Sequence, residues 1–119
     1  MSRIENPILN SAIHTLRQAY KKSNSPIWLD AMNYLLKPSA RRPSVNVGKI
    51  SRLTKEEDLV LVPGKVLGGG AISHKVTVGA YSFSEKGSWK IIKAGGNVMS
   101  LSEFINKFPS GKGVILIGG

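Results

Sequence analysis

The first forty residues carry two apolar stripes at helical spacing. Four apolar residues recur at intervals of three or four in the first stripe: Leu9, Ile13, Leu16 and Tyr20. Asn6-Pro7 precedes it as an N-cap and a first helical proline. A second helix is predicted from Pro26 to Lys37, after Ser25 and before Pro38. Its apolar side comprises Trp28, Ala31, Met32, Leu35 and Leu36. The short polar Lys22–Ser25 turn indicates that the two helices form a hairpin.

The segment from Pro38 to Ser44 has no large apolar residue. It holds two prolines and two arginines, which predicts an extended, exposed linker. Val45 and Val47 then alternate with Asn46 and predict a short strand. Thr54-x-x-Glu57 fits a capping box for a single helical turn. On this interpretation Glu56-Glu57-Asp58 is a solvated helix N-terminus, favoured over a metal site.

Leu59–Val62 is an apolar run that predicts a buried strand. Pro63-Gly64 is typical of a turn, so the run is predicted to end there. Lys65–Leu67 would then return as a second strand before the triple glycine Gly68–Gly70.

The rest of the chain alternates between the apolar spacing of strands and that of helices. Strands are predicted at Lys75–Phe83, Asn97–Met99 and Val114–Ile117. The first strand has Val76, Val78, Ala80 and Phe83 on one side. The last strand is a continuous apolar run, which predicts burial on both faces. Helices are predicted after the capping patterns Ser82-x-x-Glu85, ended by Gly95-Gly96, and Ser100-x-x-Glu103, with Leu101, Phe104, Ile105 and Phe108 inward. The order predicts an α/β fold. We expect three segments, a helical one at 1–37, a basic linker and first strand at 38–55, and an α/β module at 56–119.

The excess of positive charge indicates which class of partner the protein binds. The 17 Lys and Arg exceed the 7 Asp and Glu by +10. Residues 1–55 hold ten basic and two acidic side chains, so most of the excess lies in the first half. Such a chain favours polyanions through phosphate contacts and counterion release.

Sites for other chemistry are hard to find. Cysteine is absent, which excludes disulfides and Cys-based metal sites. The glycines at Gly68–Gly70 lack the following Lys-Ser or Lys-Thr of a phosphate loop, so a nucleotide site is disfavoured. Close approach to RNA backbone or to another strand explains them equally well. His14 and His74 have no acidic cluster beside them, and Trp28 and Trp89 are interpreted as core rather than base-stacking residues. No apolar run is long enough for a bilayer, so a soluble cytoplasmic protein is expected.

Several long segments resemble one family, the archaeal and eukaryotic large-subunit ribosomal protein called eighteen-e. The matching segments are Arg42–Ile50, Asp58–Gly68, His74–Ser84, Ala94–Gly96 and Ser100–Glu103. The resemblance covers essentially the whole chain, and its C-terminal module is shared with the bacterial large-subunit ribosomal protein fifteen. It implies an irregular β-β-α superhelical core and a structural, RNA-binding component of the ribosome without catalytic residues or cofactor.

The expected partner is large-subunit ribosomal RNA, with neighbouring ribosomal proteins as further partners. The residues predicted to bind RNA are the basic side chains of the helices and linker and the flanks of the glycine loop. They are Arg17, Lys21, Lys22, Lys37, Arg41, Arg42, Lys49, Arg52, Lys65, Gly68, Gly69, Gly70, His74 and Lys75. A free-standing RNA- or DNA-binding architectural protein is the alternative, and a nucleic-acid-processing enzyme is a remote one.

Overall fold

The helical hairpin predicted from hydrophobic spacing is present. The computed structural model describes residues 7–118 and begins with α1 (Pro7–Ser23) and α2 (Pro26–Leu35). Asn24 joins them with a positive φ of 57°. The predicted cap Asn6 lies outside the described residues. The second helix ends two residues earlier than expected, and Leu36 is 55% exposed because it has left the helix.

Five parallel strands form one sheet within the described residues. They are β1 (Ser44–Asn46), β2 (Asp58–Leu67), β3 (Val76–Phe83), β4 (Asn97–Ser100) and β5 (Val114–Leu116). The order is β1-β2-β3-β4, and β5 also pairs with β2. Two short strands share one edge of β2, because β5 pairs with Leu59–Leu61 and β1 with Lys65–Leu67. The predicted α/β class is confirmed.

The predicted turn at Pro63-Gly64 is wrong. β2 continues through it, with a bulge between Val62 and Lys65 that shifts the register against β3. Proline is tolerated in a strand at a bulge, where no ladder hydrogen bond is required from its nitrogen. The Lys65 amide donates to Pro43 O at 3.0 Å, which holds the second half of the strand in line.

The segment after β1 is a helix that the pattern of apolar residues did not predict. The predicted strand ends at Asn46, and α3 (Val47–Leu53) follows at once. The predicted capping box at Thr54 is wrong, because Thr54 Oγ1 donates backwards to Ile50 O at 2.7 Å and closes α3. Glu57 has a φ of 72° in an exposed turn that leads directly into β2, so the acidic run is not a helix N-terminus.

The last two helices are α4 (Glu85–Lys93) and α5 (Leu101–Lys107). The cap of α4 is Ser84 and not Ser82, since β3 extends through Phe83; Ser84 Oγ accepts from the Gly87 amide at 3.0 Å. Gly95, with φ +90°, ends this helix as predicted. The capping box between Ser100 and Glu103 is confirmed by both of its hydrogen bonds.

Helices cover both faces of the sheet. On one side, here called the hairpin face, α1, α2 and α5 pack around a core that comprises Ala12, Leu16, Ala19, Trp28, Ala31, Leu35, Leu61, Leu101, Phe104 and Ile105. On the other side, the loop face, α3 and α4 pack around Val45, Val47, Ile50, Val60, Val62, Val66, Val76, Val78, Ala80, Ile91 and Ile117. Alternate residues of β2 and β3 enter opposite cores, as the period of a strand requires. β5 is only half-buried, contrary to expectation, because it lies at an edge and only Ile117 after it is fully buried.

Candidate RNA-binding surfaces

The basic side chains are almost free of carboxylate partners. Among residues 7–118 there is a single ion pair, between Lys75 Nζ and Glu57 Oε2 at 3.7 Å. The other lysines and arginines of this range have no carboxylate partner within it, which favours contact with a polyanion.

The cations of α1 lie on the hairpin side of the molecule. Arg17, Lys21 and Lys22 are all exposed, while the opposite side of the helix packs on the core. Lys21 and Lys22 occupy the last turn, where positive charge also stabilises the helix dipole.

The linker is only partly extended, since Ser39–Arg41 forms one 3-10 turn. Arg41 is exposed, but Arg42 is half-buried and bonded. Arg42 Nε donates to Lys37 O at 3.2 Å and to Leu35 O at 3.3 Å, so it closes the end of α2. Its guanidinium carbon also lies 6.0 Å from the ring centroid of Tyr81. The two predicted arginines therefore differ. The Arg42 side chain is held by the protein, whereas the Arg41 side chain is exposed to solvent.

Two other predicted lysines lie near this linker. Lys37 Nζ is 4.8 Å from the centroid of the Tyr34 ring, a cation–π distance. Lys65 is exposed on β2 and pairs with Ser44 of β1, immediately after the linker. The fold thus brings Lys65 to the linker, although 20 or more positions separate it from the two arginines in the chain.

The glycine loop is part of the crossover between the parallel strands β2 and β3. The Gly69 amide donates to Asn46 Oδ1 at 2.9 Å, and the Gly48 amide donates to Gly69 O at 2.9 Å. Gly70 has φ +82°, and a Cβ there would lie 2.7 Å from Gly48 Cα. The sequence left open an approach to RNA backbone or to another strand, and the protein backbone that these glycines approach is the start of the helix α3 and not a strand.

Lys90 of α4 fixes the same loop. Its Nζ donates to Gly68 O at 2.7 Å and also to Gly70 O. Sequence reasoning missed this residue, because nothing local to Lys90 distinguishes it from the other lysines of its helix. Its role depends on a contact across 20 and 22 positions of the chain.

The remaining predicted residues gather around this loop. His74 Nε2 lies 2.8 Å from Thr54 Oγ1, at the C-terminal end of the helix that carries Lys49 and Arg52. The Lys75 amide donates to Glu56 Oε1 at 3.4 Å. Lys49 and Arg52 therefore lie on the loop face with the glycine loop, on the opposite side of the sheet from α1.

The two tryptophans are placed very differently. Trp28 is fully buried and its Nε1 donates to Pro109 O at 3.1 Å, as expected for a core residue. The prediction for Trp89 is wrong, because this side chain is 58% exposed. Lys93 Nζ lies 4.9 Å from the centroid of its ring.

Two other kinds of feature are absent from the described part of the chain. No group of three or more His, Cys, Asp or Glu within residues 7–118 is arranged to hold a metal ion. No helix in that range has the length and apolarity to cross a membrane.

An α/β fold with cations exposed on both faces is that of a basic protein whose surface is suited to polyanions. Comparison with known proteins identifies it further: the chain belongs to the family described as ribosomal protein 60S L18 and 50S L18e, which matches residues 2–119. The resemblance stated from the sequence is confirmed.

Named relatives from archaea span nearly the same length. The large ribosomal subunit protein eL18 of Archaeoglobus fulgidus is 42% identical over 97% of this chain and 98% of its own length. The protein of the same name from Methanococcus maripaludis is 40% identical over 94% of this chain and 93% of its own. That of Pyrobaculum aerophilum is 41% identical over 86% of this chain and 84% of its own.

Proposed function

We propose that this chain is a structural constituent of the large ribosomal subunit that binds and stabilises ribosomal RNA and so supports translation. The observation that carries the proposal is a net charge of +10 with one ion pair among the described residues. Membership of a ribosomal protein family supplies the particular polyanion. The proposed location is the cytoplasmic ribosome, with neighbouring ribosomal proteins as further contacts.

The proposed interface has two parts on opposite sides of the sheet. One comprises the exposed cations of α1, and the other comprises α3, the glycine loop and the residues before β3. The linker lies between them along the chain, and Lys65 of β2 pairs with Ser44 beside it. A compact core that separates two cationic surfaces would hold two RNA segments at a fixed distance, which suits a role in assembly. Phosphate contacts would position the protein and RNA shape would supply most of the specificity.

The proposed role needs neither catalysis nor a cofactor. Support comes from the family, whose members are named as ribosomal proteins, and from the absence of phosphate-loop spacing around Gly68–Gly70. Ordering three consecutive glycines is entropically costly, and their contacts with α3 and Lys90 account for them without a nucleotide.

The salt dependence of binding tests the proposal. If six to ten phosphates are contacted, affinity for deproteinised large-subunit RNA should fall on the order of a thousandfold between about 50 and 200 mM salt. Filter binding or fluorescence anisotropy across that range measures the slope. An affinity that hardly changes would overturn a phosphate-dominated interface.

Sedimentation separates the ribosomal role from that of a free-standing binder. The tagged chain, expressed in its host, should remain with large subunits in a high-salt gradient, because contacts buried between RNA segments resist exchange. A free-standing architectural protein would instead be found at the top of the gradient.

A further inference from the structure

Trp89 is a large apolar side chain that the fold leaves in water. α4 turns Gly87 and Ile91 to the core, and Trp89 lies on the other side of the helix with 58% of its surface exposed. Burial of such a side chain would stabilise the fold, so its exposure is unusual for an indole. Single exposed apolar residues are common, but Trp89 differs from them in what surrounds it.

The indole forms one wall of an open groove of about 390 Å³. The other wall is the short segment Ala71–Ser73, which directly follows the glycine loop. Lys90, on the same groove, holds the loop through Gly68 O and Gly70 O, so this wall is fixed in place. The volume falls within the range of about 300–1,000 Å³ that is usual for small-molecule clefts.

The groove is rimmed by positive charge. Lys93 Nζ lies 4.9 Å from the Trp89 ring centroid, and Lys90 borders the same space. The acidic residue of this helix, Glu85, is not among the residues that line the groove. An aromatic ring with a lysine ammonium beside it complements a flat, apolar group that carries a nearby negative charge.

We propose that this groove is a stacking site for one unpaired nucleotide, with the base on Trp89 and its phosphate beside Lys93. The proposal rests on the proposed RNA-binding function and names one of its contacts. Unpaired bases stack on exposed aromatic side chains in RNA recognition, and the contact tolerates any base because each has a π face. Lys93 is exposed and its flexible side chain can reach from the ring to an adjacent phosphate. A nucleotide fits this cationic rim better than an apolar protein segment does.

Three variants test the site in the full chain. Affinity for deproteinised large-subunit RNA is measured at about 200 mM salt, where weak non-specific binding is suppressed. Trp89→Ala should bind about tenfold more weakly, and Trp89→Phe should recover most of the loss because it keeps a ring. The control is Ile92→Ala, since Ile92 is 54% exposed on the same helix and lies about 60° around its axis from Trp89. That variant should bind like wild type.

Fluorescence gives a second readout. RNA should quench part of the tryptophan emission of the wild type, because a stacked base quenches an indole. The same titration on Trp89→Phe reports only buried Trp28 and should show no specific quenching, which also corrects for absorption by the RNA.

The outcomes are separable from those of the proposed function. Wild-type affinity in Trp89→Ala together with unquenched emission would overturn the stacking site, while salt-dependent binding of the RNA would keep the wider proposal. Emission that changes in assembled large subunits but not with RNA alone would also overturn stacking and identify a protein contact instead. Equal losses in Trp89→Ala and Ile92→Ala would overturn a site specific to the groove.

Discussion

The two faces of the sheet are packed by different means. The hairpin face is filled by the larger side chains of the core, including Trp28, Phe104 and Leu16. The loop face is filled mainly by valine and isoleucine, and its helices approach through glycine. A Cβ on Gly87 would lie 2.9 Å from Val66 O, and one on Gly70 would lie 2.7 Å from Gly48 Cα. On the hairpin side, Gly79, Gly111 and Gly118 instead make room for the side chains of Phe104, Ile27 and Tyr34.

This difference explains where binding groups are found. Large side chains on the hairpin face are buried in the core, and the outer sides of α1, α2 and α5 are left to solvent. On the loop face, small residues bring backbone to backbone, and larger groups such as Trp89 and Lys93 are left outside. The faces should therefore fail in different ways, one when a side chain is removed and the other when one is added.

Removal of Trp28 should have the largest effect. Trp28→Ala leaves a cavity in the hairpin face and removes the hydrogen bond to Pro109 O, so the free energy of unfolding should fall by about 3–5 kcal/mol. Urea denaturation measures the change. Trp89→Ala is the matched control and should stay within about 0.5 kcal/mol, since the side chain is mostly exposed. Equal losses would contradict the distinction between the two tryptophans.

Elements with a strong local period could be predicted from the sequence. The stripe of α1, the inward side of α5 and the alternation of β3 each depend on neighbours within a few positions. The capping box at Ser100 and the terminating Gly95 are also local signals, and both are present.

The missed features depend on distant contacts. β2 passes Pro63 because Pro43, 20 positions earlier, accepts the amide of Lys65. α3 lacks a side-chain cap, since Asn46 Oδ1 accepts from Gly69 instead. The exposure of Trp89 could not be predicted, because the buried side of α4 includes Gly87, which has no side chain to contribute to an apolar pattern.

The site was predictable to the same limited degree. Charge predicted a polyanionic partner, and the run of glycines predicted a place of close backbone approach. The pairing of Lys90 with that loop and the bonded state of Arg42 required the fold. The three-segment division of the chain and the full set of RNA-binding residues stay predictions.

An added methyl group on the loop face should have an intermediate effect. Gly70→Ala combines a positive φ with a collision against Gly48, so we expect a loss of about 2–4 kcal/mol. Gly95→Ala is matched in φ, at +90°, but nothing lies within 4 Å of its Cβ, so only about 1–2 kcal/mol should be lost. Thermal or urea melts of both variants measure the difference. Similar losses would show that φ strain, and not close packing of the loop, sets the cost.

The smallest effects are expected in the linker, where the two arginines serve as their own comparison. Arg41→Ala should change the free energy of unfolding by no more than about 0.5 kcal/mol, because the side chain is exposed. Arg42→Ala should cost about 1 kcal/mol, since its Nε donates to Leu35 O and Lys37 O at the end of α2.

The same two variants test the linker as part of the RNA interface. If both arginines contact phosphate, each variant should also reduce the salt dependence of RNA binding by about one unit of log–log slope. Melts and RNA titrations on the same preparations measure the two quantities independently. A large stability loss in Arg41→Ala would show that the linker is structural throughout, and an unchanged slope in both variants would remove the linker from the RNA interface.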